Sequence, residues 1–144
     1  MKVRSILETK GSRVVTIRPD ATIAITVARM RLERIGCMVV SEDAMTVQGL
    51  ISEREIAHGL AEHGVNLPAM HVADLMIHRV PVCGPEDSIK KLMATMTLQR
   101  VRHMPVVEHH RLIGIVSIGD IVKNRMEEIE LETNVLRDAY VAAH

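Results

Sequence analysis

The sequence predicts a mixed α/β (α+β) fold: two pseudo-symmetric β-α-β-β-α repeats packed through their sheets, plus an extended C-terminal helix. Three observations carry this expectation. The first is an internal repeat. A shift of 66 residues superposes Pro19-Asp20-Ala21-Thr22-Ile23 on Pro85-Glu86-Asp87-Ser88-Ile89, and pairs Arg34 with Arg100, Met38 with Met104 and Val40 with Val106. After a one-residue deletion the shift is 65, which places Gly49-Leu50-Ile51-Ser52 on Gly114-Ile115-Val116-Ser117 and Glu55-Ile56 on Asp120-Ile121. Agreement through so many positions marks a structural repeat rather than chance patterning. The second is that, in both copies, short apolar runs alternate with segments of helical period. The third is that the last helix continues past the end of its counterpart.

In the first copy, Val14–Ile17 reads as a short strand ended by Pro19. Thr22 then caps a helix to about Arg34, with Ile23, Val27 and Met30 on one face. Cys37–Val40 and Val47–Ser52 read as two strands across a turn, and Glu53 opens a helix to about His63. The joining segment, Gly64 to Arg79, holds a short helix at Val72–Met76. In the second copy, Val80–Val82 is expected as the first strand, and Ser88 caps a helix carrying Ile89, Leu92, Met93 and Met96. His103–Val107 and Leu112–Ser117 form a hairpin around His109-His110-Arg111, and Ile118 opens the last helix. A unit of about 60 residues buries little surface alone, so the copies should share a core. The expected units are residues 1–68, the first repeat with its N-terminal segment; 69–124, the second repeat; and 125–144, a helical extension. Along that extension Val122, Met126, Ile129, Thr133, Leu136, Tyr140 and Ala143 follow at alternating steps of four and three. This stripe either packs on its own domain or contacts a second subunit.

Composition narrows the function classes. Eighteen Lys+Arg balance eighteen Asp+Glu in 144 residues, and no basic block appears, so no nucleic-acid partner is expected. The apolar runs are far shorter than the ~20 residues of a membrane helix, and MKVRSILETKG lacks the apolar stretch of a signal peptide. The two cysteines, Cys37 and Cys83, read as reduced, inert core thiols, and a cytoplasmic location is expected. One Tyr and no Phe or Trp stand beside ten Met, so a planar ligand would lie between aliphatic side chains. None of the eight His falls in a metal-ligand spacing, and no metal site is expected. Nucleophile-elbow, phosphate-loop and dinucleotide fingerprints are absent, so neither an enzyme nor a catalytic cofactor is expected and no residue is assigned a catalytic role.

The stretches VVTIRPDATIAITVARMRLERIGCMVV with VQGLISEREI, and VPVCGPEDSIKKLMATMTLQRVRHMPVV with LIGIVSIGDI, resemble a tandem pair of CBS domains, a Bateman module. The resemblance covers nearly the whole chain between Val14 and Lys123 and is closest to the small stand-alone CBS-pair proteins. It implies an adenosine-containing ligand between the repeats, with AMP first and ATP or NAD(H) as competitors. It also implies a flat homodimer through the helices Thr22–Arg34 and Ser88–Gln99, and a regulated partner protein.

By this resemblance a second-copy site would use Val80, Pro81 and Val82 against adenine, Arg102 and His103 toward phosphate, the adjoining Met104 and Pro105, and Ser117, Gly119 and Asp120 at the helix start. There a carboxylate can accept from ribose hydroxyls and free N–H groups can hold phosphate. The first copy departs from the pattern: Gly36 and Cys37 replace Arg102 and His103, and Glu55 replaces Asp120. Its candidate residues are Thr16, Cys37, Met38, Ser52, Arg54 and Glu55, with Arg54 able to restore a cation. Ser52-Glu53-Arg54-Glu55 also fits a capping box, better than Ser117-Ile118-Gly119-Asp120 does. The function expected is a regulatory adenosine-ligand sensor. A non-catalytic dimeric scaffold with empty clefts is the alternative.

Overall fold

The computed structural model describes residues 1–144. Helix α1 (Val3–Lys10) precedes the first copy, which contains β1 (Thr16–Ile17), α2 (Ile23–Glu33), β2 (Cys37–Val40), β3 (Gly49–Ser52) and α3 (Glu53–His63). A 3-10 turn (Gly64–Ala69) and α4 (Val72–Leu75) lead to the second copy: α5 (Ile89–Gln99), β4 (His103–Glu108), β5 (Arg111–Ser117) and α6 (Ile118–Ala143). The expected caps form: the Thr22 and Ser88 hydroxyls accept from the amides of Ile25 and Lys91. Both helices end on an arginine in the left-handed region, Arg34 and Arg100, so the repeat extends to backbone conformation.

In the first sheet β1 runs parallel to β2 and β3 antiparallel to it, in the order β1-β2-β3. The second sheet keeps only the β4–β5 hairpin, turned by His109 and His110, both at positive φ as this tight turn requires. Here the expected first strand at Val80–Val82 is corrected. Its remnant is a single parallel bridge from Cys83 to Val106. Pro81 stands where the first copy has Val15, so it offers no amide and also restricts Val80.

The N-terminal helix was not expected, and it closes the second copy's core rather than the first's. Val3, Ile6 and Leu7 pack with Ile89, Leu92, Met96, Met104, Val116 and Ile121. The linker does the reciprocal job: Leu67 and Val72 complete the core of Ile17, Ile23, Met30, Met38 and Ile51. The two closures share their hydrogen bonds. Ile89 N donates to Met1 O at 3.0 Å as Ile23 N does to Met70 O at 2.8 Å, and Val3 N donates to Asp87 O as Val72 N does to Ala21 O. The sequence carries a matching signal, MKVRSIL against MHVADLM, a further stretch of the repeat at a shift of 69.

The copies meet through their sheets. Cys37, Val39 and Leu50 are buried against Val80, Leu112 and Ile115. Two backbone connections pin this contact. Ile77 and Leu50 exchange a pair of hydrogen bonds at 2.8 and 3.1 Å, extending the first sheet with linker backbone, and Leu112 N donates to Met45 O at 2.8 Å. The Met45 loop is held by the Asp43 carboxylate, which accepts from the Met45 and Thr46 amides and the Ser41 hydroxyl. Those donors hold Asp43 far below the usual carboxylate range.

Helix α6 packs on α5, β5 and α1 only at its start, where Ile121 is buried. The reading in which its heptad stripe packs on its own domain is therefore corrected. Val122, Met126, Ile129, Leu136 and Tyr140 are all more than half exposed.

Candidate ligand-binding cleft

A cleft of about 170 Å³ opens between the copies. Its apolar walls are Cys37 and Leu50 from the first sheet, Ile77 and Val80 from the linker, and Val101. Its polar groups are Ser52, Glu53, Arg54 and Glu55 at the start of α3, with Arg100, Arg102 and His103 from the segment entering β4. Antiparallel pairing sets Cys37 opposite Ser52, so the first helix-start motif lies beside the strand that begins the cleft wall. No Val80 backbone group takes part in a backbone hydrogen bond, because Pro81 breaks the strand there. A free amide and carbonyl are thus left at the apolar end, where buried polar groups need partners.

The cleft draws on both expected sites. It unites Cys37, Ser52, Arg54 and Glu55 of the first copy with Val80, Arg102 and His103 of the second. Ser117, Gly119 and Asp120 do not line it. Ser117 pairs with His103 across the β4–β5 ladder, but its hydroxyl accepts from Asp120 N, and Asp120 Oδ2 accepts from Ser117 N at 2.8 Å. Lys10 of α1 also binds Asp120 Oδ2 at 2.8 Å and Ile115 O at 2.9 Å. Burial opposes ionisation of Asp120, but the Lys10 ammonium and Ser117 amide outweigh it and hold its carboxyl below the ordinary range. The capping expectation is reversed. The full reciprocal box forms at Ser117 and Asp120, whereas the Ser52 hydroxyl donates to the Glu55 carboxylate and caps no amide.

Other expected residues point elsewhere. Met38 and Met104 are fully buried in the two cores, and Pro105 is buried with its carbonyl accepting from Cys83 N. Thr16 lies in a separate open depression with Arg18, Arg29 and Asp43, its carbonyl accepting from Arg29. Val82 is half exposed, and Pro81 lies outside the cleft lining. Residues the sequence reading passed over are Gly36, Leu50, Glu53, Ile77, Arg100 and Val101. The Arg34/Arg100 match of the repeat was the available signal for Arg100, since both occupy the same left-handed cap. Glu53 takes the space over Gly36, where an added Cβ would lie 3.1 Å from its carboxyl carbon. No group of three His, Cys, Asp or Glu is arranged to hold a metal ion.

Burial dominates the titration of the cleft. His103 is pushed below its ordinary pKa by burial first and by Lys10, with Asp120 and Glu55 pulling the other way. The imidazole is therefore neutral near pH 7, and the standing cations are Arg54, Arg100 and Arg102. Burial pushes the Cys37 thiol up to about 12, and Cys83 likewise to about 12. Between the ordinary value of 9.0 and about 12, the unfolded chain loses thiol protons that the folded chain keeps. Stability should hold below pH 9.0 and then fall by up to ~1.4 kcal/mol per pH unit for each thiol. Chemical denaturation from pH 8 to 11 with Cys37→Ala checks this: the variant should show the shallower decline.

Two repeated α/β copies, packed through their sheets and closing a shared cleft, define a tandem domain pair. The CBS domain matches residues 3–62 and 72–127, and the chain belongs to the CBS-domain family. It is similar to the mitochondrial CBS domain-containing protein CBSX3 of Arabidopsis thaliana, 30% identical over 126 residues, covering 85% of this chain and 61% of that protein's length. Among solved structures it resembles the CBS-domain containing protein ATU1752 from Agrobacterium tumefaciens, with 36% identity, a TM-score of 0.83, and 87% of this chain and 99% of that one covered. The CBS pair of MJ0100, solved with 5-methylthioadenosine and S-adenosyl-L-methionine, shares the fold at a TM-score of 0.76 and 19% identity, over 85% of this chain and 98% of that one. No helix is long and apolar enough to cross a membrane.

Proposed function

We propose that the protein is a non-catalytic regulatory sensor that binds an adenosine-containing ligand in the cleft between its CBS copies. The carrying observation is the joining, in one cleft, of an aliphatic slot with free Val80 backbone groups, a helix-start carboxylate and three guanidinium groups. Adenine lies between Cys37, Leu50, Ile77 and Val101, with its edge on Val80. Glu55 accepts from the ribose hydroxyls once the Ser52 contact is exchanged for them. Arg102, with Arg54 and Arg100, meets the phosphate, where a planar fork of donors gives charge-assisted bonds. The adenosine ligands of the MJ0100 pair support this class. AMP is the first choice, with ATP and NAD(H) sharing the same adenosine half.

Because the cleft walls come from both copies, ligand binding biases how the copies pack. It does so only through unequal affinity for two arrangements. A partner protein reads the arrangement. Exposed Ile25 and Leu32 on α2 and Leu98 on α5 support a flat homodimer through those helices.

The test is the absorbance spectrum of freshly purified protein, followed by acid release and chromatography. With one Tyr and no Trp, a bound purine dominates near 260 nm. A stoichiometric adenine compound is the expected result. A clean spectrum, with no thermal shift on adding AMP, ATP, NADH or S-adenosylmethionine, would reject the sensor in favour of the scaffold.

A further inference from the structure

We propose that α6 is a homotypic zipper: a second copy of this chain docks along it in parallel and in register, forming a two-stranded coiled coil from Val122 to Ala143. This goes beyond the ligand reading and does not depend on it. The face is unpartnered within the chain. From Ile129 onward every residue of α6 is exposed, while the stripe keeps heptad spacing for three turns of the repeat, about 32 Å at 1.5 Å per residue. Assigned to a heptad, Met126, Thr133 and Tyr140 occupy a positions, and Ile129, Leu136 and Ala143 occupy d.

Charge identifies the occupant as a second copy. The positions flanking the stripe are Arg125 and Glu132 at g, and Glu130 and Arg137 at e. In a parallel in-register pair each g residue faces the partner's e residue five positions on. Arg125 then meets a partner Glu130, and Glu132 meets a partner Arg137, so both contacts attract, twice over by symmetry. Glu130, Glu132 and Arg137 have no ion-pair partner within their own chain, whereas Arg125 holds Glu128 at 2.7 Å and exchanges that contact on pairing. In the antiparallel register that keeps the whole stripe from Val122 to Tyr140 paired, Glu130 would instead face Glu130 and Glu132 face Glu132. Thr133 fixes the register, because a heptad slip would bury its hydroxyl against Met126 or Tyr140 instead of against its twin.

The test uses the full chain. Ala143→Cys is expected to form an interchain disulfide under mild oxidation at micromolar concentration, since a parallel pair apposes identical d positions and the native thiols are buried. Glu132→Arg and Arg137→Glu, each alone, should weaken self-association roughly tenfold in sedimentation. Mixed together they should form a heterodimer, because both facing pairs are then of opposite sign. These residues touch nothing in their own domain, so folding is not at stake, and circular dichroism confirms it. Failure of Ala143→Cys to cross-link, or mixing of the two charge variants without heterodimer, would overturn the zipper. A flat dimer through α2 and α5 gives neither signature, and adenine binding is unaffected in both outcomes.

Discussion

The Gly49→Val variant is expected to lose about 3 kcal/mol or more of folding stability, a drop of roughly 10 °C in melting temperature for a chain of this size. A Cβ built on Gly49 would stand 2.3 Å from the carbonyl oxygen of Ile77 and 3.3 Å from its carbon. The obstacle is backbone, and it cannot swing aside, because Ile77 is tied to Leu50 by two hydrogen bonds. Relief requires breaking that pair, at ~1 kcal/mol for each bond plus the cost of groups left without partners. Ile77 also walls the cleft, so ligand binding should fall with the fold. The repeat supplies the control. Gly114 is the equivalent glycine, but its added Cβ meets the Leu7 side chain at 2.6 Å, and a side chain can shift. Gly114→Ala should therefore cost much less, about 1 kcal/mol. Equal losses in thermal melts would show that the close approach of Ile77 does not constrain Gly49.

Arg102→Ala is expected to weaken AMP binding by about 10- to 100-fold while leaving adenosine binding within a factor of two or three. The range follows from ~1.5–3 kcal/mol for a hydrogen bond to a charged group. Arg102 is exposed at the cleft, so its removal leaves the cores intact. Glu55→Ala should weaken AMP and adenosine alike, because the ribose is common to both. Asp120→Ala should act differently again. Asp120 lies outside the cleft and is held by Lys10, so its loss loosens α1 more than it weakens AMP. His103 adds a pH signature. It is held neutral by burial and by Lys10, and an adjacent phosphate would favour its protonated form. AMP affinity should therefore rise as pH falls through the ordinary histidine range, with adenosine affinity flat. Titration calorimetry on the three variants at two pH values separates these contributions. An Arg102→Ala protein that binds AMP as tightly as the parent would remove the phosphate role.

Adenosine recognition and the zipper concern different surfaces. The cleft lies between the sheets, whereas the α6 stripe lies beyond Ile121, where the helix leaves its domain. If both hold, ligand-dependent packing of the copies and pairing along α6 are coupled only through the first turns of α6. There α1, β5 and α5 all touch it.

The sequence by itself determined the repeat, the order of most elements from β1 onward and the caps at Thr22 and Ser88. These are local or periodic properties: Thr22 and Ser88 cap because a hydroxyl reaches its own helix's amides, and Cys37–Val40 is a strand because four successive buried residues need a sheet around them. It also set the heptad phase of α6, since spacing alone fixes which residues share a face. Only the tertiary structure decided which motif faces which. Ser52 and Glu55 look like the better capping box on spacing, yet the reciprocal box forms at Ser117 and Asp120, where Asp120 is also held by Lys10, 110 residues away in sequence. The crossing of α1 onto the second copy and of the linker onto the first depends on long-range backbone pairing that no local window contains. That crossing places Ile77 and Val80 between the copies, so Arg102 and His103 share a cleft with Glu55 rather than with Asp120. The physical reason is that each copy's apolar face is left open by its own elements and is closed by the segment that precedes the other.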